Sequence, residues 1–362
     1  MGKSLYKSTF QFLKRFSALE TRGNHLRRLQ TFSCMVSSCM KTKSSTLEGI
    51  SPVPSKQIES SIKQAKRWLS SKWTDWESFF APYAQAILSK LARQGELVLI
   101  MDGSETGADC VSLMLSVVWR GYAVPLVWIT RKGKKGHFKE ETHMELLQVV
   151  QPILPAGCRC ILLGDGEFDG GKLRLLCQSL NWEFVLRTSK DHLVDCGGEL
   201  RPIGSLCPDP TCESVFVEDA CQGHNAVLWW AEGHPNPIPL LTNMDLGEMA
   251  CAYYKRRFAI ETLFKQIKSA GFNLQKSKVK GEKRVANLIL VVALAWIFTF
   301  CIGLMLKKMP SKTLAKAARP DRIDDLSPLR LAFKCLRRLK KIARKIFSNL
   351  SKNWDDFWLD DP

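Results

Sequence analysis

LVLIMDGSE, residues 97–105, runs five apolar residues into Asp102 and Gly103. CILLGDGEFDGG, residues 160–171, repeats the design, with Ile161 to Leu163 leading through Gly164 into Asp165 and Gly166. Apolar runs of this length bounded by Gly read as buried strands that end in a turn. An Asp at each end presents its carboxylate at the rim of a sheet, within reach of metals and substrates. Working outward, VLIMD is followed by SLMLSVVW and, across Arg120-Gly121, by AVPLVWIT, which reads as a hairpin. A helix near Glu140 to Val150 comes next, then the strand ending at Asp165, a helix near Lys172 to Leu180, and the strand EFVLRT. Three strands, a helix, then strand and helix in alternation predict an α/β core.

AYYKRRFAIETLFKQIKSAGF, residues 252–272, predicts a helix, with good helix formers, no Pro and Gly271 near its end. At about 100° per residue, Arg257, Glu261 and Lys268 fall near 300°, 340° and 320° from Tyr254, on one face. A carboxylate beside an aromatic hydroxyl and two cations suggests a metal ligand next to a bound phosphate chain. Read alone, the spacing equally fits a solvated face with ordinary Glu–Lys pairing. The two strand-end Asp residues upstream favour the first reading.

The spacing Tyr-x2-Arg-x3-Glu-x6-Lys downstream of two strand-end Asp residues resembles the DDE transposases of bacterial insertion sequences. The resemblance is to the subgroup named for its YREK motif, the insertion-sequence family four type. All four YREK positions match, and LLTNMDLGEMACAYYKRRFAIE is similar to that subgroup's run-in to the catalytic helix. The resemblance covers about residues 95–305. It implies a ribonuclease-H-like catalytic core, in whose order the strands and helices above fall, and cut-and-paste DNA transposition. It also implies that Asp102, Asp165 and Glu261 bind metal and catalyse. Tyr254, Arg257 and Lys268 would contact DNA phosphates near the cleaved end, with a hairpin intermediate at the excised end. The implied partners are the element's terminal inverted repeats and target DNA, bound by a homodimer in the bacterial cytoplasm.

The residue types suit that chemistry. Two-metal phosphodiester cleavage needs hard carboxylate oxygens to hold two Mg2+ or Mn2+ ions about 3.5–4 Å apart. Carboxylates clustered this closely repel one another, so the triad is expected to be loose or partly protonated without metal. Arg257 and Lys268 supply positive charge to phosphate oxygens. No Ser-His-Asp or Cys-His arrangement stands out. Two other enzyme-free or narrower readings share these residues: an inactive DNA-binding regulator, and a structure-specific nuclease.

With 362 residues, the chain is long enough for several domains, and a net charge of +18 indicates a polyanionic partner, most economically nucleic acid. The expected division is a basic helical region over 1–95, core over 96–191, a β-rich insertion over 192–239, core again over 240–309, and a basic helical tail over 310–362. In the tail, RLAFKCLRRLKKIARK carries eight basic residues and no acid. Leu329, Phe333, Leu336, Ala343, Phe347 and Leu350 recur at spacings of three and four, apart from the place held by Lys340. This predicts an amphipathic helix for DNA contact, dimer contact or simple cover. Toward the N-terminus, Ile58, Ile62, Ala65 and Leu69 step at helical spacing, with Lys63, Lys66 and Arg67 off the stripe.

Thirteen Cys residues without a CxxC pair, and no secretory signal, suggest a reducing cytoplasm. Cys207, Cys212, Cys221 and His224 have tolerable zinc spacing, although the resemblance does not call for zinc. NLILVVALAWIFTFCIGLML, residues 287–306, is about long enough to span a bilayer. Its place after the basic turn KVKGEKR, and its Ala, Gly, Thr and Cys content, favour a buried core helix instead, with no membrane partner. Within the insertion, adjacent Trp229 and Trp230 face opposite sides of a strand. Packing is open to each; the resemblance allows an aromatic in this insertion to stack on a base extruded at the transposon end, and Trp230 is the candidate for it. His137 and His143 flank the start of the helix after the hairpin.

Overall fold

The computed structural model describes residues 2–17, 22–51, 58–133, 138–206, 214–316 and 322–359. The strands expected from the apolar runs form: β1 (Glu96–Thr106), β2 (Cys110–Trp119), β3 (Tyr122–Lys132), β4 (Arg159–Gly164) and β5 (Glu183–Arg187). Helices Glu140–Val150 and Gly171–Ser179 lie between them in sequence as expected. A small β6–β7 hairpin (Leu193–Asp195, Leu200–Pro202) follows, then β8 (Ser214–Cys221), β9 (His224–Trp229) and β10 (Ile238–Thr242).

One eight-stranded sheet runs in the order β3-β2-β1-β4-β5-β10-β9-β8. β1 pairs antiparallel with β2 and parallel with β4, and β4 pairs parallel with β5. The β-rich segment after β5 adds its strands to this sheet: Leu241 of β10 lies opposite Leu186 of β5. The apolar middles of β1 and β4 explain why both are central. Leu97 to Met101 and Cys160 to Leu163 are buried, and such runs are stable only when covered on both faces.

The apolar run near the C-terminus forms helix Glu282–Lys307. Most of its apolar stretch, 89%, is buried inside the protein. It packs against β3, against helices Gly23–Thr42 and Ile58–Ser70, and against helices Pro328–Arg338 and Lys340–Lys352. A helix apolar all round needs neighbours all round, and the two terminal regions supply them. Asn287, buried in this helix, donates through Nδ2 to the Leu69 carbonyl, and the Trp128 indole donates to the Ala286 carbonyl. At Gly303 a Cβ would overlap the Pro328 carbonyl, so only Gly allows this close approach.

The amphipathic stretch of the tail from Leu329 to Leu350 lies in two helices rather than one, Pro328–Arg338 and Lys340–Lys352, broken at Leu339 (φ −113°, ψ 51°). Leu329, Phe333, Phe347 and Leu350 are buried, leaving Arg337, Arg338 and Lys345 toward solvent. On helix Ile58–Ser70 the buried stripe is Ser61, Ala65, Trp68 and Leu69, while Ile58 is exposed. Trp68 turns the stripe: its ring stacks on Phe32 at 4.9 Å and its indole donates to the Arg28 carbonyl. An indole with both a stacking and a hydrogen-bonding partner outweighs an Ile side chain.

Candidate functional site

Parallel register brings the two Asp residues together. Ile100 of β1 lies opposite Leu163 of β4, so Asp102 and Asp165 each stand two residues beyond a matched pair. β1 continues past this point because β2 still pairs with it, whereas β4 ends at Gly164. Only Gly fits at position 164, because a Cβ there would press on Phe168 and Leu186. Asp165 Oδ1 accepts the Glu167 N–H at 3.0 Å, which fixes the turn after β4. Asp102 Oδ1 accepts the Gly103 N–H at 2.7 Å.

The helical stretch bearing the other four residues is not a uniform α-helix. It comprises helix Gly247–Lys255, a 3₁₀ turn Arg256–Phe258, helix Ala259–Lys265 and a π turn Gln266–Ala270. The 3₁₀ turn overwinds the chain and the π turn underwinds it, so the two partly offset. Gln266 opens the π turn with its side chain accepting from the buried Trp296 indole at 2.7 Å. Lys268 within that turn then reaches β1, its Nζ donating to Ser104 Oγ at 3.1 Å. Ser104 is two residues from Asp102 and so shares its face of the strand.

Tyr254 and Arg257 are buried, whereas the Glu261 side chain is 57% exposed. The face is therefore graded in depth. The Arg257 guanidinium sits over the Phe258 ring at 4.5 Å and the Tyr254 ring at 5.6 Å, and Nη2 donates to Glu261 Oε1 at 2.9 Å. Its Nε is buried without a partner, as is the Tyr254 hydroxyl. Burial pushes the Tyr254 hydroxyl up to about 12, against the pull of Arg257 and Arg187. Near neutral pH it is therefore an uncharged hydroxyl.

Burial first, and the Asp165 carboxylate second, push Asp102 from its ordinary 3.8 up to about 7; Arg257 and the Gly103 N–H oppose this, and Glu261 adds to it. Asp102, Asp165, Glu261 and Arg257 thus form one electrostatic unit. The oxygen donors fit a hard divalent cation, and a carboxyl raised by like charges gains most from one. Among the described residues no three His, Cys, Asp or Glu side chains stand close enough together to hold an ion, because Glu261 is turned to Arg257.

Several residues of this site are not evident in the sequence. Glu167 accepts the Phe138 N–H at 2.5 Å through Oε1 and stands 3.5 Å from His143 Nε2. The bond to Phe138 ties the Asp165 turn to the residues leading into helix Glu140–Val150, where the buried His143 ring packs on Phe168 at 4.7 Å. Arg187, at the end of β5, lines a cavity of about 160 Å3 with Tyr254, Phe258 and His234. Trp229 is buried; Trp230 is half-buried and its indole donates to the His234 carbonyl at 3.1 Å. Arg187 had one available signal, a cation closing the apolar run Phe184–Leu186, and Glu167 had the acid-rich sequence DGEFD.

Two groups of expected ligands fare differently. His137, Cys207 and Cys212 lie outside the described residues. Cys221 and His224 face a cation: Arg174 Nη1 is 3.0 Å from His224 Nδ1 and 3.9 Å from Cys221 Sγ. A guanidinium in that position competes with a metal ion for both ligands.

Residues 247–298 match the family model described as a transposase DDE domain. The match spans Tyr254, Arg257, Glu261, Lys268 and the first part of the core helix, and leaves β1 and β4 outside it. A piggyBac transposase, solved by cryo-EM in a synaptic complex with hairpin DNA, is similar at a TM-score of 0.48 and 14% identity, over 96% of this chain and 82% of that one. No curated protein matches.

Proposed function

We propose that the protein is a metal-dependent DNA transposase of the YREK subgroup, built on a ribonuclease-H-like core. The observation that carries this reading is the meeting of Asp102 and Asp165, from neighbouring parallel strands, with Glu261 and Arg257 from the transposase-matched helix. The sheet order β3-β2-β1-β4-β5, with its first two pairings antiparallel and the next two parallel, supports the core assignment.

Asp102, Asp165 and Glu261 would hold two Mg2+ ions, for which Mn2+ can substitute. Bound there, the ions supply Lewis acidity to a phosphodiester and lower the proton affinity of a water or 3′-hydroxyl. The rest falls to side chains. Arg257, anchored on two aromatic rings, loses little freedom when it exchanges Glu261 for a phosphate oxygen. Lys268 is held over the same strand as Asp102 and offers its remaining donors to a flanking phosphate. Tyr254 donates its buried hydroxyl without carrying charge. Trp230 beside the Arg187 cavity is the candidate to stack on a base at the element's end.

The reaction is cut-and-paste transposition: water cleaves the element's ends, a hairpin forms at the excised end, and the freed 3′-hydroxyls join target DNA. The protein acts as a homodimer on terminal inverted repeats, in a bacterial cytoplasm. The test is a strand-transfer assay with Mg2+ or Mn2+ on a duplex carrying the parent element's ends, with Glu261→Ala as control. Joined products from wild type alone support the proposal. Binding without cleavage points to an inactive regulator, cleavage without joining to a structure-specific nuclease, and cleavage persisting in Glu261→Ala places the active site elsewhere.

A further inference from the structure

The basic turn between the two long helical stretches is unusually ordered for a run of charge. From Lys276 to Lys280 burial alternates: Lys276, Lys278 and Lys280 are exposed, while Ser277 and Val279 are buried. Alternation of this kind is the signature of an extended chain lying on a surface, with every second side chain pointing out. Ser277, at the end of the 3₁₀ turn Leu274–Lys276, is extended (φ −69°, ψ 127°).

The segment is fastened along its length. The Ser277 N–H donates to the Leu274 carbonyl, and the Val279 N–H to Ser277 Oγ. The Val279 carbonyl accepts the Ala108 N–H at 3.3 Å, and the Gly281 N–H donates to Asp109 Oδ1 at 3.0 Å. Both partners belong to the turn between β1 and β2. Gly107 in that turn has φ +67°, and a Cβ there would crowd Val285 and the Val279 carbonyl. The chain is thus seated against the tip of the strand that carries Asp102 and Ser104.

None of Lys276, Lys278, Lys280, Lys283 or Arg284 forms an ion pair with a described residue. The nearby acids have other duties. Asp109 accepts the Gly281 N–H, though Lys280 also lies within its field, and Glu282 Oε1 accepts the Lys132 N–H at 2.8 Å. A solvated helix face intersperses its cations with acids. Here Lys278 and Lys280 stand on one side of a fixed extended chain, with Lys276 exposed at the end of the 3₁₀ turn that leads into it.

We propose that Lys276, Lys278 and Lys280 form a ridge that follows the phosphate backbone of duplex DNA as it leaves the site around Asp102. The inference rests on the transposase reading and names a surface for its DNA. At about 3.3 Å rise per residue, alternate side chains stand about 6.6 Å apart, comparable with the separation of neighbouring phosphates on one strand. The ridge crosses the end of β1 about four residues, or about 13 Å, beyond Asp102. It therefore engages DNA flanking the cleaved bond and reads no sequence, because phosphate contacts position rather than specify.

The experiment measures affinity for a 30-base-pair duplex of mixed sequence by fluorescence anisotropy, without divalent metal, over a range of NaCl. Each phosphate neutralised contributes about 0.9 to the slope of log affinity against log salt. Lys276→Gln/Lys278→Gln/Lys280→Gln is expected to lower that slope by about 2.7 and to weaken low-salt binding by at least about tenfold, equally for unrelated sequences. A control with the same charge loss on other exposed lysines, Lys7→Gln/Lys312→Gln/Lys316→Gln, is expected to change the slope by less than one contact's worth. All six side chains are exposed, and unchanged thermal midpoints verify the fold. An unaltered slope in the ridge variant, or an equal drop in the control, overturns the ridge. Absence of DNA binding by the wild type overturns the ridge and the transposase reading together.

Discussion

Replacing Asp102 by Asn should make the metal-free protein more stable, by an amount that depends on pH in a defined way. Asp102 is raised from 3.8 to about 7 by burial and by Asp165, so the fold favours its protonated form. Its contribution to stability is complete below pH 3.8 and is lost as pH rises through about 7. Asn stays neutral throughout, and its side-chain oxygen can still accept the Gly103 N–H. The advantage of Asn is therefore near zero at the acid end, grows by about 1.36 kcal/mol per pH unit, and levels off above pH 7. The ceiling is about 4 kcal/mol, and local relaxation brings the expected plateau to about 2–4 kcal/mol. Urea unfolding of both proteins in a chelator, at half-unit steps from pH 4.5 to 8.5, measures it. Excess Mg2+ at pH 8 should then stabilise the wild type more than the variant and narrow the gap. A difference independent of pH, or an Asn variant less stable at pH 8, would refute the electrostatic unit described above.

Other consequences are independent of that one. On the proposed transposase reading, Glu261→Gln should abolish strand cleavage while leaving affinity for end DNA within about threefold, since Glu261 is an exposed acid that offers nothing to phosphate; binding and cleavage assays on one preparation check this. Gly303→Ala should destabilise the protein by about 3 kcal/mol, because the new methyl drives helix Glu282–Lys307 away from Pro328; a fall in the urea midpoint is the readout. Trp296→Phe removes the buried bond to Gln266, costs about 1–3 kcal/mol, and should raise hydrogen exchange in the π turn that carries Lys268.

The helical stretch from Gly247 to Ala270 shows what kind of feature can be legible in a chain. Tyr254, Arg257, Glu261 and Lys268 are three, four and seven residues apart, so their shared side of a helix follows from local geometry. Their depths do not: Arg257 is buried because Phe258 and Tyr254 take its guanidinium, and Glu261 stays outside because Arg257 holds it there. The π turn at Gln266 depends on a bond from Trp296, thirty residues away, and local propensity carries no trace of it.

The apolar run at 287–306 marks another limit. Hydropathy fixes that this helix must be surrounded by apolar groups, and lipid and protein satisfy that requirement alike. The packing of β3 and of helices Gly23–Thr42, Ile58–Ser70, Pro328–Arg338 and Lys340–Lys352 against it supplies the surroundings. Likewise the alternating strands after β5 were readable as strands, but their joining the main sheet was not, since a strand's edge bonds with any partner whose register the rest of the fold permits.

By itself the sequence determined the apolar runs that become β1 and β4, the Asp that closes each, and the periodic face of the helix downstream, because period and polarity are local properties. Only the tertiary structure decided that Ile100 lies opposite Leu163, setting Asp102 beside Asp165, and that Arg257 stands between them and Glu261. Register and charge pairing are relations between distant segments, and their energies exist only once the chain has brought those segments together.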